Sequence, residues 1–308
     1  MSTLDGASNA TRAPGPGAIA LMVVLTSCWG LSQVAMKIAN LGYSPLTQCF
    51  LRSAVGALCI AGWCLVRGIP LTLRDGTLRP GLVAGLFFAV EFILLFLAMD
   101  ITSVARGVLI FNSMPFWVLA GSHLIGLERL SWRKLSGMAL AFCGVSLVFA
   151  DKVTLPSHFA IIGDLMVFGA ALCWAGTVLV IKVTRLAESP PEKSLLYQLG
   201  VSAIVTLPFI PLGGPALRDV GWLPTATLAF QALFIVSITY LAFFRMVQRY
   251  SASSLSSFAF LTPLTGVTAS ALILDEPLSP QIGLALALIG AGLFLVNRPQ
   301  RRMTGRAA

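Results

Sequence analysis

Charge is what this sequence has least of: Asp, Glu, Lys and Arg make up 11% of 308 residues, against about 25% in an ordinary soluble domain. With 57% hydrophobic residues and a mean hydropathy of +0.88, a water-soluble globule is excluded and an integral membrane protein is the class left. Histidine is nearly missing. His123 and His158 lie far apart with no cysteine or paired carboxylate beside them, so no metal site is expected. The six cysteines, Cys28, Cys49, Cys59, Cys64, Cys143 and Cys173, all fall in apolar stretches without metal-like spacing, and read as small buried hydrophobes. Short alternating strands are lacking, which excludes a membrane barrel. A nucleotide-binding glycine loop is lacking too, so no bound nucleotide supplies energy to this chain and no cofactor is expected.

What the sequence has instead is long uncharged apolar runs close to the roughly 20 residues that cross a bilayer as a helix. They predict helices over 18–38, 46–66, 80–99, 104–124 and 132–150, then 160–181, 194–212, 224–244, 252–273 and 279–297. Pro45, Pro80, Pro190, Pro191, Pro224 and Pro280 stand at or beside helix starts, where a missing N–H costs least. Gly42 and the Gly213–Gly214 pair mark turns. Residues 1–17 read as a disordered tail and 298–308 as a basic one. The first apolar run is too long for a signal peptide, and its Cys-Trp-Lys markers recur at mid-chain.

That recurrence is general. A shift of 148 positions lays Ser103 on Ser251, Pro115 on Pro263, Glu128 on Glu276, Ser131 on Ser279 and Gly144 on Gly292; a shift of 145 lays Cys28, Trp29 and Lys37 on Cys173, Trp174 and Lys182. The chain therefore reads as two homologous halves, 18–150 and 160–297. Each has five helices, an odd number, so the second half must enter the membrane inverted. The expected fold is all-α and integral to the membrane, with ten transmembrane helices forming two inverted repeats around a central cavity.

If the N-terminus is cytoplasmic, sixteen of the 21 Lys and Arg fall in inside loops and tails, with only Arg106, Lys152 and Arg218 outside. Both termini are thus expected in the cytoplasm. The net charge of +9 is explained by topology and the anionic leaflet, and a nucleic-acid partner is not needed.

Cys-Trp-Gly at 28–30, Pro45–Leu46 to Arg52, and the paired turns Glu128-Arg-Leu-Ser131 and Glu276-Pro-Leu-Ser279 resemble the drug/metabolite transporter superfamily, specifically its ten-helix EamA group. The resemblance covers nearly the whole chain. It implies a bacterial-type inner-membrane carrier in which helices one, three, four, six, eight and nine line the cavity. Helices five and ten are implied to lie at the periphery, where a homodimer contact would form.

Glu91, near the middle of the third helix, is the sharpest candidate. A carboxylate there costs several kcal/mol unless paired, hydrated or protonated, so it would serve substrate binding or proton coupling, or else a structural ion pair with Arg52 or Lys37. Pro115 and Pro263 each take the helical donor from a carbonyl four residues back, Phe111 and Ala259, and are expected hinges. Asn112 and Ser113 beside the first, and Ser257 and Thr262 beside the second, would bond substrate or serve packing. Trp29 and Trp174, with Gln33 a turn on and Phe92 and Tyr240 at equivalent positions, would form an aromatic lining, or simply pack. Trp132 and Trp222 would anchor at the interface. Arg52 would hold a substrate carboxylate or brace helices, with bracing favoured; Lys37 and Lys182 read as interface markers; Gly137, Gly144, Gly283, Gly290 and Gly292 read as close-packing residues.

The function these features imply is secondary transport of small organic metabolites, with export of amino acids or related compounds first. Uptake of a vitamin or nucleoside-like metabolite such as riboflavin or S-adenosylmethionine is second. A membrane-embedded enzyme would need clustered catalytic acids, histidines or a nucleophile with its base, whereas Glu91 is nearly alone at depth. A non-transporting structural subunit would tolerate loss of Glu91, Asn112 and the tryptophans.

Overall fold

The computed structural model describes residues 13–98, 101–150, 158–274 and 281–298. These residues are helical, apart from connections and one isolated bridge between Tyr43 and Leu217. In chain order the helices are α1 (Pro16–Ala39), α2 (Pro45–Val66), α3 (Leu78–Ala98), α4 (Val104–Leu124), α5 (Trp132–Phe149), α6 (His158–Val183), α7 (Pro191–Gly213), α8 (Trp222–Arg249), α9 (Ala252–Ile273) and α10 (Ile282–Asn297). Among the described residues, α1 to α9 are long and apolar enough to cross a membrane, whereas α10 has 16 residues. Glu276, Ser279 and Pro280 lie outside the described residues, as do Arg12 and Lys152.

Local chemistry sets the helix starts. Pro16, Pro45 and Pro191 stand in first turns, and three serine hydroxyls accept from a backbone N–H three residues on. These are Ser44 from Thr47, Ser103 from Arg106 and Ser251 from Ser254, each at 3.3 Å, a cap worth about 1 kcal/mol. The two serines that share one register in the sequence therefore do the same job, opening α4 and α9. Trp132 and Trp222, at 83% and 80% exposed, begin α5 and α8.

Among the described residues, four helices are not regular. α7 ends in 3₁₀ winding over Leu207–Gly213. α4 breaks at Asn112–Ser113, one turn before Pro115. α9 tightens to 3₁₀ winding over Phe258–Phe260, just before Pro263. α8 widens to π winding over Gln231–Thr239 and then continues to Arg249, five residues past the expected end. Arg245 is held there by an ion pair to Glu192, and Gln248 donates to the carbonyls of Leu186 and Ser189 at 2.8 and 2.9 Å.

Packing follows a crossed pattern. α1 lies against α8 and α9, α6 against α3 and α4, α2 against α7 and α8, α3 against α7, and α5 against α10. Backbones come closest where glycines allow it. A Cβ on Gly30 of α1 would stand 2.1 Å from Thr265 Oγ1 and 2.6 Å from the Gly266 nitrogen of α9. On Gly292 it would stand 2.4 Å from the Gly137 carbonyl, so α5 and α10 touch through small residues. Gly144 joins that seam, while Gly283 and Gly290 face open space and are not part of it. Outward faces carry large apolar side chains such as Leu58, Leu65 and Val66 at 73%, 77% and 83% exposed, a surface that only lipid would cover favourably. This also corrects the cysteine expectation. Cys49 and Cys64 are buried, but Cys143 is exposed and the other three are part-exposed, because in a bilayer an apolar side chain gains as much from lipid as from the core.

Candidate transport cavity

A cavity of about 670 Å³ lies between the helices, within the range of small-molecule sites. α1, α3, α4, α6, α8 and α9 line it, as the family resemblance implies, with Arg52 from α2 and Phe149 from α5. Of the expected site residues, Trp29, Gln33, Glu91, Phe92, Asn112, Trp174, Tyr240 and Thr262 all reach its wall. Ser257 does not: it precedes the 3₁₀ turn of α9, is fully buried, and donates to the Ser254 carbonyl at 2.7 Å. Pro115 and Pro263 are not lining residues either, although their neighbours Met114 and Thr262 are.

Much of the wall is aromatic. Trp29 meets Tyr240 and Phe243 edge-on at 5.7 and 5.2 Å between centroids, and Trp174 lies 5.9 Å from Phe243. Phe88 packs edge-on against Phe92 at 4.9 Å and Tyr240 at 6.1 Å. Each ring thus braces another, which fixes the lining. The Trp29 indole N–H donates to Thr239 Oγ1 at 2.9 Å, tying α1 to the π segment of α8.

Several buried polar atoms at the wall lack a hydrogen-bond partner: Oε2 of Glu91, Nε and Nη2 of Arg52, Oδ1 of Asn112 and Oγ1 of Thr262. Glu91 and Arg52 are each only 2% exposed, and no ion pair joins the two. Unsatisfied buried groups in such number are uncommon in a finished core and are what a binding site presents before its ligand.

Three residues depart from their sequence reading. Arg52 faces the cavity, its guanidinium 4.0 Å above the Phe92 ring, rather than bracing a helix pair. Lys37 lines the cavity. Lys182, read as an interface marker, is 6% exposed with Nζ unpartnered, on a helix that the first residues of α9 contact. Phe88 and Phe243 were legible as one helical turn from Phe92 and Tyr240.

The cavity is displaced toward one end. Its lining runs from mid-helix to Asn40 of the α1–α2 connection, Phe96 of α3 and Val104 of α4, and stops at Phe244 of α8 and Ala259 of α9. The end where α1 begins is closed by polar ties. Glu128 accepts from Lys134 Nζ at 2.6 Å, from Ser251 Oγ at 3.0 Å and from Ser253. Burial would raise the Glu128 carboxyl, but the Lys134 charge and the hydrogen bonds from Lys134 and Ser253 outweigh it and hold it below the usual range. Lys193 pairs with Asp75, and Arg245 with Glu192; hydrogen bonds from Lys193 and Thr77 hold Asp75 well below the usual carboxylate range. At the opposite end the Ser44 nitrogen donates to the Ala216 carbonyl at 3.1 Å and that of Arg218 to the Gly42 carbonyl at 2.9 Å.

Comparison with known proteins gives the geometry a context. The model of the EamA-like transporter family matches residues 16–150 and again 161–298. A protein of Salmonella typhimurium named "Probable amino-acid metabolite efflux pump" is 28% identical over 91% of this chain and 93% of its own, and an Escherichia coli protein of the same name matches to the same extent. The "Uncharacterized transporter YvbV" of Bacillus subtilis is also 28% identical, over 93% of each chain. A solved crystal structure 18% identical in sequence superposes with a TM-score of 0.75, covering 89% of this chain and 93% of the other, which supports the fold alone.

Proposed function

We propose, for a chain that belongs to the EamA-like transporter family and is a multi-pass membrane transporter of small molecules, that it exports amino acids or related metabolites across a bacterial inner membrane by alternating access. The observation that carries this reading is the off-centre cavity: a ring-lined space that lies from mid-helix toward one end of the helices, away from the polar ties around Glu128. Export of amino acids is favoured by the names of the Salmonella and Escherichia relatives.

The packing pattern supports two inverted five-helix repeats making ten spans. If α1–α5 correspond to α6–α10, the contacts α1–α9, α1–α8 and α2–α8 become α6–α4, α6–α3 and α7–α3, all of which occur, while α2–α7 and α5–α10 map onto themselves. The distribution of Lys and Arg favours cytoplasmic termini, and in that orientation the cavity faces outward and the seal around Glu128 is cytoplasmic. The breaks beside Pro115 and Pro263 would be hinges, Glu91 the proton-coupling group, and the α5–α10 pair, of which α10 lines no part of the cavity, the place for a homodimer.

Purified protein in liposomes, offered labelled amino acids, riboflavin and S-adenosylmethionine with and without an imposed pH gradient, tests the proposal. Amino acids should move, and faster with the gradient. Transport of riboflavin or S-adenosylmethionine alone would replace export of amino acids by vitamin or nucleoside-type uptake.

A further inference from the structure

We propose that Arg52 and Glu91 are the two poles of a zwitterion site: Arg52 takes the α-carboxylate of the substrate, Glu91 its α-ammonium, and the Trp29, Trp174 and Phe243 rings its side chain. The inference rests on the export reading of the same cavity, and names the groups that would be recognised there.

Arg52 is the starting point. α2 otherwise packs on α7, through Ser53 to Ser202 at 3.0 Å and Cys49 to Thr206 at 3.8 Å, and of all its residues Arg52 alone reaches the cavity. The guanidinium carbon stands 4.0 Å from the Phe92 ring centroid, a cation–π contact that leaves the N–H groups to form hydrogen bonds elsewhere, and the planar fork that binds a carboxylate suits Arg and not Lys. Nε and Nη2 are buried and unpartnered. A brace between helices would use those donors; here they are unused.

Glu91 supplies the complement. Its Oε2 is buried without a donor, on the same cavity wall as Arg52. Two opposite charges that share a cavity without pairing leave room for a molecule carrying both charges. The remaining wall is ring-rich, so large apolar or aromatic amino acids fit best.

The test uses the full-length protein in liposomes and four ligands: phenylalanine, phenylalanine amide, phenethylamine and 3-phenylpropanoate. The wild type should prefer phenylalanine by about 10- to 100-fold over each analogue lacking one charge, as expected when a hydrogen bond to a charged group is lost. In Arg52→Gln, phenylalanine should fall to the level of its amide while the amide itself is unchanged; Arg52→Lys should recover part of the preference. A merely structural Arg52 would lower all four ligands together. The proposal is overturned if Arg52→Gln keeps the carboxylate preference, or if the wild type treats phenylalanine and its amide alike. Should Arg52→Gln fail to fold, Arg52→Lys and the wild-type series decide. Amino-acid transport without discrimination sinks this inference alone; absence of amino-acid transport sinks the export reading as well.

Discussion

Glu91 shares its wall with Phe88, Phe92 and Tyr240, and a carboxyl group in such company is costly unless its protonation or its ligand offsets the cost. Glu91→Gln keeps the shape and removes the charge. The expected outcome is folded protein with normal thermal unfolding and at least a tenfold loss of gradient-driven transport in liposomes; full activity would remove Glu91 from the mechanism. Much of the cavity was legible residue by residue, because charge or aromaticity inside an apolar span is conspicuous. The orientation of Arg52 was not legible, since whether a long side chain braces, snorkels or points inward depends on what lies across from it. Of the two roles the sequence left open for Ser257, substrate contact and packing, it has the packing one, buried just before the 3₁₀ turn at Phe258–Phe260.

At the scale of elements, the crossing of α1 and α9 depends on Gly30. Any Cβ there meets the Gly266 nitrogen at 2.6 Å and the Thr262 carbonyl at 2.8 Å as well as Thr265, and backbone atoms cannot step aside, so the helices must part. Gly30→Ala should cost about 1–3 kcal/mol and slow transport, whereas Gly62→Ala in α2, with nothing within 4 Å, should be neutral or stabilising by up to about 1 kcal/mol. Melting curves in detergent compare the two. Pro115→Ala returns an N–H to the turn after Phe111, and should close the break at Asn112–Ser113. Stability should hold while turnover falls about tenfold if the break is a working hinge, measurable as exchange of labelled substrate. Helix positions were legible because length and apolarity dictate them in lipid, and the α4 break because proline marks it. The π segment of α8 carries no such mark: no proline or glycine lies in Gln231–Thr239, and only its packing against α1 and α2 distinguishes it.

For the molecule as a whole, both ends are fastened, one by the ties around Glu128, Asp75 and Glu192, the other by the Arg106–Asp164 ion pair, the Thr102 hydroxyl on Asp164 at 2.6 Å and backbone bonds between the α1–α2 and α7–α8 connections. The Glu128 carboxyl is held below its ordinary range in the folded state. Its contribution to the seal is therefore complete above the ordinary carboxylate range near pH 4 and is lost as the pH falls through the lowered value. On a cysteine-free background, Ala252→Cys should resist a water-soluble maleimide at pH 7 and react after brief exposure to acid or when Glu128→Gln is added. Equal labelling in all three conditions would separate Glu128 from closure.

The wide winding of α8 has one more consequence. A stretch with more residues per turn than its flanks holds a latent twist, and rewinding it to ordinary pitch would spin everything downstream about the helix axis like a screw driven part of a turn. Tyr240 and Phe243 come directly after that stretch, and the Trp29 bond to Thr239 is its last fastening. For the two aromatic rings to turn out of the cavity together, that bond and the Arg245 and Gln248 ties farther along the helix would have to yield in concert.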